Sequence, residues 1–308
     1  MSTKNSRGTR LAWMVSGVLL VGLGLAAWGA WWEDWDFHRQ TQPLACAPSP
    51  ANAPVRFIAF GDYGQGTPFQ MQLAKQMVKT HDQTPFDTVL LLGDNIYGDG
   101  DIKRLAKPYF EKPYGPLIQR NVRFLAAIGN HDTRKGHMKD QMEYFKMPND
   151  FYKVSKGPVD FFILNTTFFV RNPKQQQWLE KSLSESKAPW KIVAGHHPLY
   201  SSGRNGNTEG LRAILEPMLQ RHGVTLYLCG HDHDYERFKP IHNVHYIVSG
   251  GGGGFLTSFR DILPESQVHL RTHHFVMVEA TATDIWLKAI NRHGEVIDCD
   301  HWRKTSAH

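Results

Sequence analysis

Five apolar runs in this sequence end in glycine and then, at once, in aspartate, asparagine or histidine. They are "RFIAF" before Gly61-Asp62, "TVLLL" before Gly93-Asp94, "RFLAAI" before Gly129-Asn130, "KIVA" before Gly195-His196 and "TLYLC" before Gly230-His231. A turn explains any one of them, because Gly, Asn and Asp all favour turns. Histidine has no such preference, so five endings in one chain point to something else. A rigid strand can place a metal ligand. The glycine would let the chain turn at once and let a neighbouring strand end approach closely. Sites in open α/β sheets lie beyond the carboxyl ends of the strands. Five converging ends would make a polar crown able to hold metal.

With two nearby groups, Tyr97 and His233, the set is Asp62, Asp94, Tyr97, Asn130, His196, His231 and His233. Oxygen-only shells suit Ca²⁺, whereas imidazoles suit Fe, Zn or Mn-like ions. Seven ligands fit two metals better than one. If the two share one carboxylate, each has four protein ligands, and Asp94 is the natural bridge. A phenol titrates near pH 10 in water, so Tyr97 would bind as phenolate only to a strong Lewis acid. Fe³⁺ is the biological choice. Asn130 with imidazoles suits a divalent ion.

The elements that must position these groups are short. Apolar runs at 56–60, 88–92, 123–128, 161–164, 191–194, 225–229 and 245–249 fit strands buried on both faces. Helical spacing appears between them at 67–81, 173–186 and 207–223, and Pro217 is expected to kink or break the last. Strands alternating with helices argue α/β. Residues 274–300 alternate more like antiparallel strands.

The chain has 308 residues, 41% hydrophobic and 21% charged, which excludes a disordered protein. Its net charge of +6 favours anionic partners. Lys and Arg are scattered, with no long basic run, so no nucleic-acid partner is expected. Nothing in the sequence sets an oligomeric state. Cys46, Cys229 and Cys299 match no CxxC site. Cys229 follows an apolar run and reads as a buried side chain. Whether Cys46 and Cys299 pair is left open.

Residues 11–32 carry no charge. At about 1.5 Å per residue, such a segment spans a hydrocarbon core of roughly 30 Å. Lys4, Arg7 and Arg10 precede it, and Glu33, Asp34 and Asp36 follow, which puts the rest of the chain outside the cytoplasm. The rival is a cleaved signal peptide. This core is longer than a signal peptide's, and bulky Trp fills the expected cleavage region. The expected organisation is a cytoplasmic tail (1–10), a transmembrane anchor (11–32), a linker (33–54) and a catalytic domain (55–308). A single-pass anchor makes the membrane a partner and the domain extracytoplasmic, periplasmic in a bacterium.

The motifs "GDYG", "GDNIY", "GNHD", "VAGH" and "GHDH", in this order, resemble the purple acid phosphatases of the calcineurin-like metallophosphoesterase superfamily. The likeness runs over roughly residues 55–300 and is nearest to the small, tartrate-resistant branch. Many other metallophosphoesterases carry a ligand His two places after the first Asp. Here that place is Gly64, and Tyr97 is present instead. The resemblance implies a two-sheet β core flanked by helices. It implies Asp62, Asp94, Tyr97 and His233 on Fe³⁺, and Asp94, Asn130, His196 and His231 on a divalent ion, which is Fe²⁺, Zn²⁺ or Mn²⁺. The small enzymes are secreted or lysosomal, so an anchor departs from their pattern.

The implied activity is hydrolysis of phosphate monoesters at acid pH, with a hydroxide generated at the metal pair as nucleophile. His131 is positioned to protonate the leaving oxygen, with Asp132 as its candidate orienter. His197, after a ligand, touches substrate or only lines the cleft. For Arg204 and Asn207, in the loop beyond it, a solvated loop is the simpler reading than a phosphate contact. Histidines without a strand-end context, such as His137, His273 and His274, read as surface or packing groups. The alternatives are the same site acting on phosphodiesters or nucleotides, and, from another class, a catalytically weak metal-binding protein.

Overall fold

A computed structural model describes residues 44–304. The expected tail, the span at 11–32 and the linker up to residue 43 lie outside the described residues. Among the described residues, no helix is long and apolar enough to cross a membrane.

The strands in chain order are β1 (Val55–Phe60), β2 (Thr88–Leu91), β3 (Arg123–Ala126), β4 (Tyr152–Lys156), β5 (Val159–Ile163), β6 (Trp190–Ala194) and β7 (Leu226–Cys229). They continue as β8 (Tyr235–Phe238), β9 (His245–Ser249), β10 (Ser266–Leu270), β11 (His274–Ala280), β12 (Asp284–Asn291) and β13 (Val296–Arg303). Every run marked in the sequence becomes a strand. They form two sheets, ordered β13-β12-β11-β1-β2-β3 and β10-β8-β9-β7-β6-β5-β4. β1, β2 and β3 run parallel in the first. β5, β6, β7 and β9 run parallel in the second. As the alternation at 274–300 suggests, β11, β12 and β13 are antiparallel.

The sheets meet face to face. Phe57 of β1 and Phe161 of β5 pack edge-on, with ring centroids 5.0 Å apart. Tyr235 Oη of β8 donates to Asp298 Oδ2 of β13 at 2.6 Å. Because both faces of the parallel strands are covered, by the other sheet and by helices, β2, β5 and β7 are buried at every position.

The helices are α1 (Pro68–Gln83), α2 (Ile102–Ala106), α3 (Lys112–Gln119), α4 (Met138–Tyr144), α5 (Pro173–Glu185) and α6 (Glu209–Arg221). Thr67 and Asn172 cap α1 and α5, each accepting from a backbone amide three residues on, and each helix opens with Pro in its first turn. Pro217 does not break α6, which is continuous through it. The proline removes one backbone donor. Leu211, Leu215, Met218 and Leu219 hold the helix regardless, buried in a core with Leu179 and Leu183 of α5. The stretch 102–119 was not legible as helix, because Pro108, Pro113 and Pro116 interrupt it. It accommodates the first of them with a π-helical turn at Lys107–Glu111 between α2 and α3.

Residues 44–54 contain no helix or strand. Cys46 and Cys299 form a disulfide that ties this segment to β13, and Arg56 Nη2 donates to the Pro50 carbonyl at 2.9 Å. Cys229 is free and buried.

Candidate metal centre

The ends of β1, β2 and β3 in one sheet and of β6 and β7 in the other open onto the same spot. The glycines there act by absence of bulk. A Cβ on Gly129 would lie 2.2 Å from Asp94 N, and one on Gly230 would lie 2.3 Å from Asp62 Oδ2. Close approach is therefore one of their two expected roles. The sharp turn is made mostly elsewhere. Asp62, Asp94 and His231 themselves adopt left-handed backbone, with φ of 60°, 51° and 74°. Strain of this kind, about 1–3 kcal/mol per residue, concentrates at functional sites.

The seven side chains fall into two groups around Asp94. In the first, Tyr97 Oη donates to Asp62 Oδ1 at 3.0 Å and lies 2.7 Å from His233 Nε2. His233 Nε2 is 3.5 Å from Asp62 Oδ1. In the second, His196 Nε2 is 3.1 Å from Asn130 Oδ1 and 3.2 Å from His231 Nδ1. Asp94 Oδ1 is 3.4 Å from His196 Nε2. Ligand atoms of Asp62, Asp94 and His196 all lie within 4.8 Å of one another, and Asp94, which also hydrogen-bonds Tyr97, joins the two groups.

Two imidazoles are oriented from behind. His196 Nδ1 donates to the Leu92 carbonyl at 2.9 Å, and His233 Nδ1 to the Phe255 carbonyl at 2.6 Å. Each bond fixes the tautomer that turns an Nε2 lone pair inward.

A calcineurin-like phosphoesterase model matches residues 55–235. The chain belongs to this family. It is 31% identical to tartrate-resistant acid phosphatase type 5 of Rattus norvegicus, over 75% of this chain and 82% of the relative. It is 30% identical to purple acid phosphatase 3 of Arabidopsis thaliana, over 84% and 80%. With such relatives it is a phosphoric monoester hydrolase of the purple acid phosphatase kind. Among solved structures, purple acid phosphatase PPD1 from yellow lupin seeds superposes with a TM-score of 0.72 at 23% identity, covering 83% of this chain and 55% of that one. GAP50, the anchor in the inner membrane complex of Plasmodium, also superposes with a TM-score of 0.72, at 22% identity, covering 82% of this chain and 89% of that one. These two share the fold.

The residues of this phosphoesterase fit a dinuclear centre. Burial raises Asp94 well above the usual carboxylate range, and the carboxylates of Asp62 and Asp132 add to it. Burial, then Asp62 and Asp94, likewise push the Tyr97 phenol up. No Lys or Arg forms an ion pair with Asp62 or Asp94 among the described residues; the basic side chains nearest them are the imidazoles of His131, His196 and His233. Buried acids packed against imidazole lone pairs need an outside cation. Gly64 belongs to the same logic. A Cβ there would fall 1.9 Å from the Asn95 carbonyl oxygen, so no histidine fits at that place. The Gly64 carbonyl instead accepts from Tyr97 N at 3.0 Å, helping to hold the tyrosine.

Asp132 does not orient His131. Its carboxylate is buried and already used: Oδ2 accepts from the amides of Asn95 at 3.1 Å and Gly129 at 2.9 Å, and Oδ1 from Ile96 N at 3.0 Å. It staples the loop after β2 to the loop after β3. The neighbour of His131 is Arg134, which donates from Nη2 to Nε2 at 3.1 Å. The ring lies 4.5 Å from that of Tyr97, and its Nδ1 is buried with no partner among the described residues. Burial, then the Arg134 charge, push this imidazole down to about 4.

His197 is held by Thr166, which sequence reasoning missed. Thr166 Oγ1 accepts from the amides of His196 and His197, both at 3.0 Å. Its proton therefore goes to His197 Nδ1, 2.9 Å away. Nε2 of His197 then carries its hydrogen, beside the His231 ring at 4.5 Å. Thr166 follows β5 without a glycine, so the strand-end pattern did not reach it. In the loop beyond, Asn205 Nδ2 donates to Asp232 Oδ1 at 2.9 Å and Asn207 Oδ1 accepts from Ser201 N at 2.9 Å. Arg204 is exposed. The remaining histidines pack or pair as expected: His273 stacks on Phe69, and His274 lies 3.0 Å from Ser249 Oγ.

Proposed function

We propose that this chain is an acid phosphatase whose centre takes Fe³⁺ at Asp62, Asp94, Tyr97 and His233, and Fe²⁺, Zn²⁺ or Mn²⁺ at Asp94, Asn130, His196 and His231. The observation that carries the reading is Tyr97 Oη lying between Asp62 Oδ1 and His233 Nε2. A phenol driven into a carboxylate and an imidazole in a buried site is stable as a phenolate only against a strong Lewis acid. Two metal ions held there would offset phosphate charge and lower the pKa of water, so that hydroxide is available to attack phosphorus.

The protein's own groups do the rest. His197 offers Nε2–H to a phosphate oxygen. In the state that carries a proton on Nε2, which burial and Arg134 oppose down to about pH 4, His131 is the proton donor to the departing oxygen, on the side of the site bounded by Tyr97. A proton on Nε2 displaces the Arg134 contact, so Arg134 is free to turn to the substrate in that state. The test compares leaving groups. An alkoxide needs a proton and a nitrophenolate needs it far less, so His131→Ala should slow an alkyl phosphate by about 10²–10⁴-fold and nitrophenyl phosphate much less. Equal losses on both esters, at unchanged metal content, would leave His131 with only a positioning role.

The location we propose is a single-pass membrane anchor with the domain outside the cytoplasm. The uncharged stretch 11–32 supports it, as does the Cys46–Cys299 disulfide, a bond that persists in oxidising compartments. Full-length protein should sediment with membranes and resist high-salt extraction. A mature N-terminus beyond Trp32, read by sequencing protein from cells, would mean cleavage instead.

A further inference from the structure

A groove of about 940 Å³ opens beside Tyr97, on the side of the centre where Arg134 meets His131. Its charged lining is Arg104, Arg134 and Lys135 against one carboxylate, Asp99. Asp99 lies 3.5 Å from Arg104 Nη2 and 3.4 Å from Lys135 Nζ, so it is shared between two cations. Arg104 Nε is also 3.4 Å from Asp101 Oδ2. Arg134 pairs with no carboxylate among the described residues; it donates to the Gly98 carbonyl at 3.2 Å and to His131. The groove therefore keeps an excess of positive charge. Lys135 is held out into it from a left-handed backbone, φ 49°. Tyr97 and Tyr109 supply ring surface.

We propose that this groove is a specificity subsite for the leaving group, and that it selects substrates bearing a second phosphate beyond the scissile bond. The proposal rests on the phosphatase reading above and gives it a substrate class. The placement is what decides the side. Tyr97 and Arg134 both line the groove, and Arg134 lies 3.1 Å from His131, whose ring is 4.5 Å from that of Tyr97, so the groove opens directly off the centre and a leaving group turned into it passes Arg134. A second phosphate there meets Arg134, Lys135 and Arg104 together. Guanidinium groups bind phosphate oxygens in pairs. Single exposed ion pairs contribute little, so the selectivity is a joint effect of the three and weakens as salt is added.

A matched pair of esters isolates this effect, since propyl phosphate and propane-1,3-diol bisphosphate have the same type of leaving alkoxide. The bisphosphate should be preferred in kcat/KM by about tenfold or more, mostly through KM. The double variant Lys135→Asn, Arg104→Gln should reduce that preference about tenfold; asparagine tolerates the backbone at 135. Asp99→Asn should move it the other way, upward, a change that mere loss of structure does not produce. Adding a nucleoside diphosphate distinguishes an anhydride-linked second phosphate from an ester-linked one. A preference near one, or one that none of these variants shifts, overturns the proposal. If no ester is turned over at all, the phosphatase reading fails on its own. The groove is then decided by calorimetry of the metal-loaded protein with propane-1,3-bisphosphonate against propylphosphonate, where equal affinities overturn it.

Discussion

Asp94→Asn is expected to abolish turnover of every phosphate ester, a fall of more than about 10³-fold in kcat, judged against the loss from removing a single transition-state contact in other enzymes. The substitution changes charge and almost nothing else. Asparagine has the shape of aspartate and tolerates the left-handed backbone that Asp94 adopts, φ 51°. Its Oδ1 can still accept from His131 N, a bond of 2.9 Å in the native protein. The fold should therefore survive. What is lost is the carboxylate that lies 3.4 Å from His196 in one ligand group and hydrogen-bonds Tyr97 in the other. Metal analysis should give fewer than two ions per chain, with a melting temperature close to that of a metal-stripped native sample. Full metal content with full activity in this variant would remove Asp94 from the centre. Loss of activity with both ions retained would make it a catalytic group and not a bridge.

Tyr97→Phe is expected to bleach the protein. A phenolate on Fe³⁺ absorbs visible light by charge transfer from ligand to metal, and phenylalanine has no oxygen to donate. The ring would keep its place against His131, 4.5 Å away, and against His233, 5.8 Å away. Without metal the phenol is neutral and donates to the buried Asp62 carboxylate, so its removal takes away one hydrogen bond. Stability without metal should thus fall by about 1–3 kcal/mol, while the visible band disappears. An unchanged band in the variant would assign the colour to another ligand and end the Fe³⁺–Tyr97 reading.

Much of this site was legible in the chain. A strand buried on both faces shows itself as a short continuous apolar run, and a glycine after it is visible as a single letter. That is why Asp62, Asp94, Asn130, His196 and His231 could be found from the endings of β1, β2, β3, β6 and β7. Helical spacing of apolar residues likewise marked α1 and α5. Periodicity is local, so sequence carries it.

What the sequence left open was decided by contacts between distant segments. Asp132 stands next to His131 in the chain, and adjacency suggested partnership. Its carboxylate is taken by the amides of Asn95, Ile96 and Gly129, two of which come from the neighbouring strand end. Thr166 carried no motif, yet it orients His197 from 31 residues away. The left-handed backbone at Asp62, Asp94 and His231 shows only in the folded chain, although Asp and His adopt it more readily than most residues. Gly64 shows both levels at once. The letter alone said that a histidine ligand was missing. Only the packing of its backbone against Asn95, with 1.9 Å left for a Cβ, gives the reason: the chain path that brings Tyr97 to Asp62 and His233 leaves no room for any side chain there.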